Sequence, residues 1–232
     1  MKKTILVLVS FVFLATAHAQ KNDRKFYVGV SLTPQITAQK VNNNAVADSD
    51  FATGLALNGD FYLNLHSRLQ LKSGLGMQLT RLKQVDYSPL FHCDFAVNGE
   101  TNLYNSYFDI AITAVYLSIP LNLKLNLTGG RNHLFLDLGL RNAFKLTSKE
   151  KVNLYECGAT DGYALMDSKM FAPKDYVFSL NAGIGYQASA FSGKTIVLEP
   201  MVEYALTPTF QDIPILNNGK MLNIGLMLGV VF

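Results

Sequence analysis

The most constraining feature of this sequence is an alternation of apolar and polar residues that recurs in eight separate segments. In the segment 115–126 every odd position is aliphatic, whereas the even positions hold Tyr, Ser, Pro, Asn and Lys. Successive side chains of a β-strand point to opposite faces, so this segment has one apolar face and one mostly polar face. The eight predicted strands lie near 26–37, 51–64, 68–83, 115–126, 133–146, 175–188, 194–207 and 221–232.

The connections between these strands alternate in length. Short polar turns near 64–67, 127–132 and 189–193 follow the second, fourth and sixth strands, and long segments join the others. Bacterial outer-membrane barrels have short periplasmic turns and longer extracellular loops. The sequence therefore predicts an eight-stranded antiparallel up-and-down transmembrane β-barrel, with both termini periplasmic and four extracellular loops.

The start of the chain indicates export. Lys2 and Lys3 precede a short apolar run, and Ala17-His18-Ala19 matches the A-x-A cleavage pattern of a secretory signal peptide. We expect a signal peptide at 1–19 and an outer-membrane β-barrel domain at 20–232, located in the cell outer membrane. Without Lys2 and Lys3 the chain is close to neutral, so no nucleic-acid or other polyanion partner is implied.

The chain has a high apolar content but no long apolar segment. The chain is 49% hydrophobic and 16% charged, which excludes a disordered protein. Beyond residue 20 it has no run of 18 or more apolar residues, as a membrane-spanning helix would require. The apolar content must therefore lie on one face of the predicted strands.

The direction of that apolar face separates two kinds of barrel. In a soluble ligand-holding barrel it points inward, and in a membrane barrel it meets lipid. The polar face carries equal numbers of cations and anions, which suits a narrow lumen filled by paired side chains; a solvated outer surface is the alternative. The predicted lumen charge network consists of Lys72, Lys124, Arg141, Lys145, Asp60, Asp137, Glu199 and Glu203.

Aromatic residues on the apolar face favour the membrane interpretation. Tyr176 and Tyr186 are ten residues apart in one strand, which corresponds to about 25 Å along a tilted barrel and matches the height of a lipid-facing band. Aromatic girdles are expected at both edges of that band. The periplasmic set is Phe26, Phe61, Tyr186 and Phe232, and the extracellular set is Tyr176, Phe178 and Tyr204.

Two stretches resemble a known family. The segment Tyr116-Leu-Ser-Ile-Pro-Leu-Asn-Leu-Lys124 is similar to the PorT-like outer-membrane β-barrel family of Bacteroidetes. The closing Gly-Val-Val-Phe232 resembles the last strand of many outer-membrane proteins, whose final aromatic residue is read by the barrel-assembly machinery. The resemblance implies a fold, a location and that assembly partner, but no shared activity.

Three further features carry structural expectations. Pro120 and Pro200 fall inside predicted strands, so we expect a bulge or a locally broken ladder at each. Cys93 and Cys157 fall in the second and third long loops, on the same side of the barrel. Export through an oxidising compartment makes a disulfide between them one hypothesis, with free thiols as the other.

The leading functional hypothesis is a non-enzymatic protein with a structural, adhesion or binding role, whose partners are outer-membrane lipid and an unidentified ligand of the loops. The loop at about 147–174 mixes charges with tyrosines, and exposed loops on rigid scaffolds commonly bind. The alternatives are an outer-membrane lipid-modifying enzyme, which would need His92 beside Ser106 or Asp109, and a soluble periplasmic barrel. No cofactor is expected, since phosphate-loop and zinc spacings are lacking, and the adjacent residues His92, Cys93 and Asp94 cannot converge on one metal ion.

Overall fold

The structure, a computed structural model, describes residues 26–40, 47–97, 100–128, 132–155, 163–164, 172–190, 193–209 and 219–232. The predicted signal peptide at 1–19 lies outside these residues. Among them, no helix is long and apolar enough to cross a membrane. The strands are β1 (Phe26–Lys40), β2 (Ala47–Asp50), β3 (Ala52–His66), β4 (Leu69–Val97), β5 (Glu100–Asn126), β6 (His133–Tyr155), β7 (Tyr163–Ala164), β8 (Tyr176–Ser189), β9 (Thr195–Ala205) and β10 (Lys220–Val231).

Eight of these strands form a closed ring. Neighbours follow the order β4, β3, β1, β10, β9, β8, β6 and β5, and pairing between β4 and β5 closes the circle. Every pairing around the ring is antiparallel. The short strand β2 pairs with the middle of β4, and the short strand β7 pairs with the last residues of β6. The fold is thus the predicted eight-stranded antiparallel barrel.

The two ends of the barrel differ as the loop lengths predict. At one end lie the short connections after β3, β5 and β8 together with Phe26 and Phe232, and the backbone N–H of Phe232 donates there to the carbonyl of Val28 at 2.8 Å. We call this the short-turn end. The opposite, long-loop end carries the connections after β1, β4, β6 and β9, and each of them contains residues outside the described ranges.

Two of the predicted long loops are partly wrong. The stretch between the third and fourth predicted strands is a long hairpin, because β4 continues to Val97 and β5 begins at Glu100. Likewise β6 continues to Tyr155, so the predicted loop at about 147–174 begins as strand. At the base of this hairpin the apolar side chains occupy the opposite face, as Leu82, Ile110 and Ile112 are buried inside. We call the parts at 80–97, 100–114 and 148–155 the extension.

Pro120 breaks the ladder locally. The pairs that flank it, Ser73–Leu121 and Gly76–Ser118, keep one register, but the two pairs between them are missing. Proline has no N–H to donate, and Ser73 Oγ donates instead to the Pro120 carbonyl at 3.0 Å. The broken-ladder form of the prediction is therefore confirmed at this residue.

The same defect occurs at two other prolines. Pro200 lies in a two-pair gap between β8 and β9, and Pro34 lies in a two-pair gap between β1 and β10, each with the register preserved. The gap at Pro200 had been predicted and the one at Pro34 had not. A shift of register occurs instead between β5 and β6, at Val115 and Tyr116.

Candidate functional site

The outer face of the barrel is apolar along the central part of every strand of the ring. Examples from four strands are Leu57 at 52% exposed, Leu123 at 49%, Ile184 at 53% and Ile224 at 53%. Their sequence neighbours on the other face are buried and mostly polar. Such an exterior is stable against hydrocarbon and not against water. The aliphatic residues therefore point outward, which excludes the soluble ligand-holding barrel.

Aromatic side chains lie at both edges of this apolar band. At the short-turn end Phe26, Tyr186 and Phe232 are 59%, 45% and 45% exposed, and Lys194 Nζ lies 5.4 Å from the centre of the Phe232 ring. At the long-loop end Tyr176 is 40% exposed. These positions agree with the predicted girdles.

Polar anchors accompany the aromatic residues at the long-loop edge. The Tyr176 hydroxyl donates to Asn142 Oδ1 at 2.7 Å, and its ring centre lies 5.3 Å from that of Phe144. Lys220 Nζ lies 5.6 Å from the centre of the Tyr204 ring. Rings with an apolar body and a polar tip are typical of the boundary between lipid and water.

The centre of the lumen is organised around Lys72. Its Nζ lies 3.3 Å from Asp137 Oδ2 and 3.6 Å from Glu199 Oε2, and it also contacts the sulfur of Met227 at 3.3 Å. Asp60, one row away and 2% exposed, adds a third buried carboxylate. The charges thus join strands that are not neighbours in the sheet, so these contacts brace the barrel across its width.

A second ion pair lies on the long-loop side of this cluster. Arg141 Nη1 donates to Glu203 Oε2 at 2.7 Å, and the two side chains are 5% and 2% exposed. Because β8 lies between β6 and β9 in the sheet, this pair also spans the lumen rather than one ladder. Buried pairs of this kind are costly to break from one side only.

Lys124 occupies the short-turn side of the lumen, where an amide and two aromatic rings surround its ammonium group. Its Nζ donates to Gln187 Oε1 and lies 3.8 Å from the centre of the Phe135 ring and 5.5 Å from that of Tyr62. Burial of an ammonium group against aromatic faces offsets part of its desolvation. Lys124, one of the predicted lumen charges, is therefore stabilised by an amide and two aromatic rings.

Lys145 stands apart from the other seven predicted charges. Its Nζ contacts Asp175 Oδ1 at 2.7 Å and donates to the Pro173 carbonyl at 2.6 Å. The Asp175 side chain is 84% exposed, which places this pair at the long-loop rim. The sequence suggested neither Asp175 nor Gln187 as a partner, because both contacts depend on register between strands.

Apolar layers close the polar lumen on both sides. Towards the short-turn end, buried residues of four strands pack together, namely Tyr62, Phe135, Val197, Met201, Met227 and Val231. Towards the long-loop end a second cluster contains Leu82, Ile110, Ile112, Ala114, Tyr116, Ala143, Val177, Ala205 and Met221. The charged centre is thus enclosed between two apolar layers.

Several buried polar atoms of the lumen lack a hydrogen-bond partner within the described part of the chain. They include Asp60 Oδ2, Asn58 Oδ1, Gln78 Nε2 and Ser118 Oγ. Buried polar groups in proteins are satisfied by protein or by water. These atoms mark the positions at which we expect internal water between the two apolar layers.

Candidate catalytic residues fall on the hairpin of β4 and β5. His92 pairs with Asn105, next to Ser106, and Asp109 pairs with Val85 further along the same hairpin. The positions of the His92, Ser106 and Asp109 side chains lie outside the described part of the structure. Among the described residues no group of three or more His, Cys, Asp or Glu side chains could hold a metal ion.

The predicted disulfide also remains a prediction. The backbone of Cys93 pairs with Tyr104 in this hairpin, whereas its side chain and the whole of Cys157 lie outside the described part of the structure.

Comparisons with known proteins bear on architecture. No family model and no curated protein sequence matches this chain. Solved structures do match: Ail, the attachment invasion locus protein of Yersinia pestis, is 11% identical over 90% of this chain and 99% of that one, with a TM-score of 0.41. Neisserial surface protein A is 11% identical over 88% and 96%, with a TM-score of 0.42.

A third match is the outer membrane protein OprG from Pseudomonas aeruginosa, which is 11% identical over 90% of this chain and 96% of that one, with a TM-score of 0.42. At these identities and scores, neither ligands nor activities can be transferred from any of the three. The description of this chain as a membrane barrel therefore rests on its own closed sheet and apolar exterior.

Proposed function

We propose that this chain is a small integral outer-membrane β-barrel protein, without enzymatic activity, that serves a structural, adhesion or binding role through its long-loop end. One observation carries the proposal. Aliphatic side chains cover the outside of a closed ring of strands, whereas paired charges and two apolar layers fill the inside. A filled barrel offers no wide passage, so the surface left for function is the long-loop end.

The orientation and the assembly partner belong to the same proposal. In bacterial outer-membrane barrels the short turns face the periplasm, which would place both termini of this chain there. Phe232 is 45% exposed on the outer face at that end, which is consistent with a final aromatic residue that the barrel-assembly machinery reads. Membership of the PorT-like family is a finer assignment, supported by the segment from Tyr116 to Lys124.

Fractionation and heat modifiability test the membrane assignment directly. The full chain, expressed with its leader in a Gram-negative host, should appear in the outer-membrane fraction. Unheated samples should migrate differently from boiled ones on a denaturing gel, because a closed barrel resists detergent until heated. Recovery in the soluble periplasm with identical migration of both samples would refute the proposal.

A lipid-modifying enzyme is the second candidate, because the hairpin of β4 and β5 carries His92, Ser106 and Asp109. The backbone of this hairpin pairs His92 with Asn105, the sequence neighbour of Ser106. Purified barrel incubated with outer-membrane lipids should leave their acyl chains unchanged if the leading proposal holds. Release or transfer of acyl chains that disappears in His92→Ala would establish the enzyme instead.

A further inference from the structure

The outer surface of the extension carries four cations in two adjacent rows. Backbone pairing aligns Arg81, Thr113 and Lys149 in one row of β4, β5 and β6. The next row consists of Lys83, Ala111 and Lys151. All four cations are exposed. We call these six positions the cationic patch.

Strand geometry gives the size of the patch. Neighbouring strands are about 4.8 Å apart and alternate residues about 7 Å apart along a strand, so the four cations arise from a backbone rectangle of about 10 by 7 Å. The middle strand contributes only the short side chains of Thr113 and Ala111. The patch is therefore a shallow depression flanked by cations, wide enough for phosphate groups.

The patch lies directly next to the lipid-facing band. The row before it contains Leu79 and Val115, and the next two rows on the outer faces of β4 and β5 hold Arg81, Thr113, Lys83 and Ala111. On β5 the outward aliphatic positions run from Leu125 to Val115, ten residues, or about 25 Å along a tilted strand. That length accounts for the hydrocarbon layer, so Arg81 and Lys149 lie at the level of lipid headgroups.

Two acidic residues adjoin the patch without cancelling its charge. Asp50 of β2 pairs with Lys83, and Asp109 lies one row further from the band. The six positions themselves hold four cations and no carboxylate. Counted with both neighbours, the formal charge of the area is still positive, and Lys149, in the row nearest the lipid, lies furthest from those acids.

We propose that the cationic patch binds phosphate groups of anionic lipids in the outer leaflet around the barrel. The inference rests on the proposed membrane location and adds a ligand class to it. Phosphate accepts hydrogen bonds from guanidinium and ammonium groups, and Arg81 can do so with two parallel bonds. The site lies on the barrel wall, so it is distinct from any ligand of the long loops.

Lipid titration tests the proposal with the folded barrel in zwitterionic detergent. The probe is fluorescently labelled lipid A that bears its phosphates, compared with the dephosphorylated form. A surface cation contributes about fivefold to the attraction of an anionic lipid. We expect Arg81→Gln to weaken binding about fivefold, and Lys149→Gln with Lys151→Gln to weaken it about 25-fold.

The matched control removes two cations from the opposite rim. Arg68 and Lys194 are exposed near the short-turn end, so Arg68→Gln with Lys194→Gln changes the net charge equally. This control should leave the Kd within about twofold, and inorganic phosphate should compete with the lipid only at high concentration. Equal weakening by both double variants, or equal affinity for the dephosphorylated probe, would overturn the proposal. Heat modifiability of every variant separates this failure from loss of the barrel.

Discussion

The wall of this barrel contains two regions that are continuous along the same strands but have opposite polarity. In the lipid-spanning region the outward Leu121 is 49% exposed, whereas the inward Lys124 is 1% exposed. In the extension the inward Ile112 is 2% exposed, and the outward Lys149 faces solvent. The backbone pleat is the same in both regions, so the medium outside decides which face is apolar.

The reversal occurs within two residues of β5. Tyr116 and Ser118 face the lumen within the band, and Ala114, Ile112 and Ile110 follow on the same face beyond it. Where hydrocarbon surrounds the wall, polar side chains must be satisfied inside. Where water surrounds it, the interior can be an ordinary apolar core.

The two regions should also differ in how much an ion pair contributes to the free energy of unfolding. In the lumen both charges of a pair are removed from water, whereas at the rim water solvates the exposed Asp175 and screens its attraction to Lys145. The Arg141–Glu203 and Lys145–Asp175 pairs have the same distance of 2.7 Å but very different exposure. The N–O distance alone therefore does not show which of the two pairs contributes more to stability.

The largest expected effect follows from breaking the buried pair. Arg141→Met should lower the free energy of unfolding by about 3–5 kcal/mol, because it leaves the Glu203 carboxylate buried without its partner. Asp175→Asn should change it by only about 0–1 kcal/mol, because the rim pair is screened by water. Reversible urea unfolding in phosphatidylcholine vesicles measures both.

A double variant provides the control for that experiment. Arg141→Met combined with Glu203→Leu should recover much of the loss, since replacing both partners by apolar groups removes the unpaired charge. Raising the salt concentration should reduce the small effect of Asp175→Asn and leave the effect of Arg141→Met unchanged. If Arg141→Met and Asp175→Asn lower the free energy of unfolding equally, burial does not determine how much each ion pair contributes to stability.

The second-largest expected effect concerns the outer faces of the two regions. Leu121→Arg should lower the free energy of unfolding by about 2–4 kcal/mol, because the residue lies near the middle of the lipid-facing band. Thr113→Arg in the extension should lower it by only about 0–1 kcal/mol. Thr113 belongs to the same strand and also faces outward. Vesicle-based unfolding of both variants gives the difference, and equal costs would contradict the assignment of the band edge between Leu79 and Arg81.

The same contrast explains what the sequence could predict. Strands in the lipid-spanning region were predicted to within a few residues of most boundaries, because hydrocarbon requires an unbroken apolar face. For most of the extension the sequence predicts loops, since the apolar residues change faces beyond Val115 and the period-two signal loses its phase. Alternating charges at Arg81 and Lys83, and at Lys149 and Lys151, were the remaining signal that the strands continue.

The ion pairs across the lumen could be predicted from the sequence only in part. Parity places Lys72, Asp137 and Glu199 on the inner face, and the structure puts them together in one cluster. Which cation meets which anion depends on the stagger of strands that are not neighbours, and no local pattern encodes it. Lys145 illustrates the consequence, because it has the right parity but lies too far along β6 and contacts Asp175 instead.

The smallest expected effect concerns the inner face of the extension. Ile112→Val removes one methylene group from the apolar layer that contains Leu82 and Tyr116, and this should lower the free energy of unfolding by about 1 kcal/mol. Lys149→Gln on the outer face should change it by less than about 0.5 kcal/mol. The urea midpoint of the whole barrel reports whether the extension unfolds together with the lipid-spanning region. An unchanged midpoint in Ile112→Val, with faster proteolysis of the hairpin, would show instead that the extension opens separately.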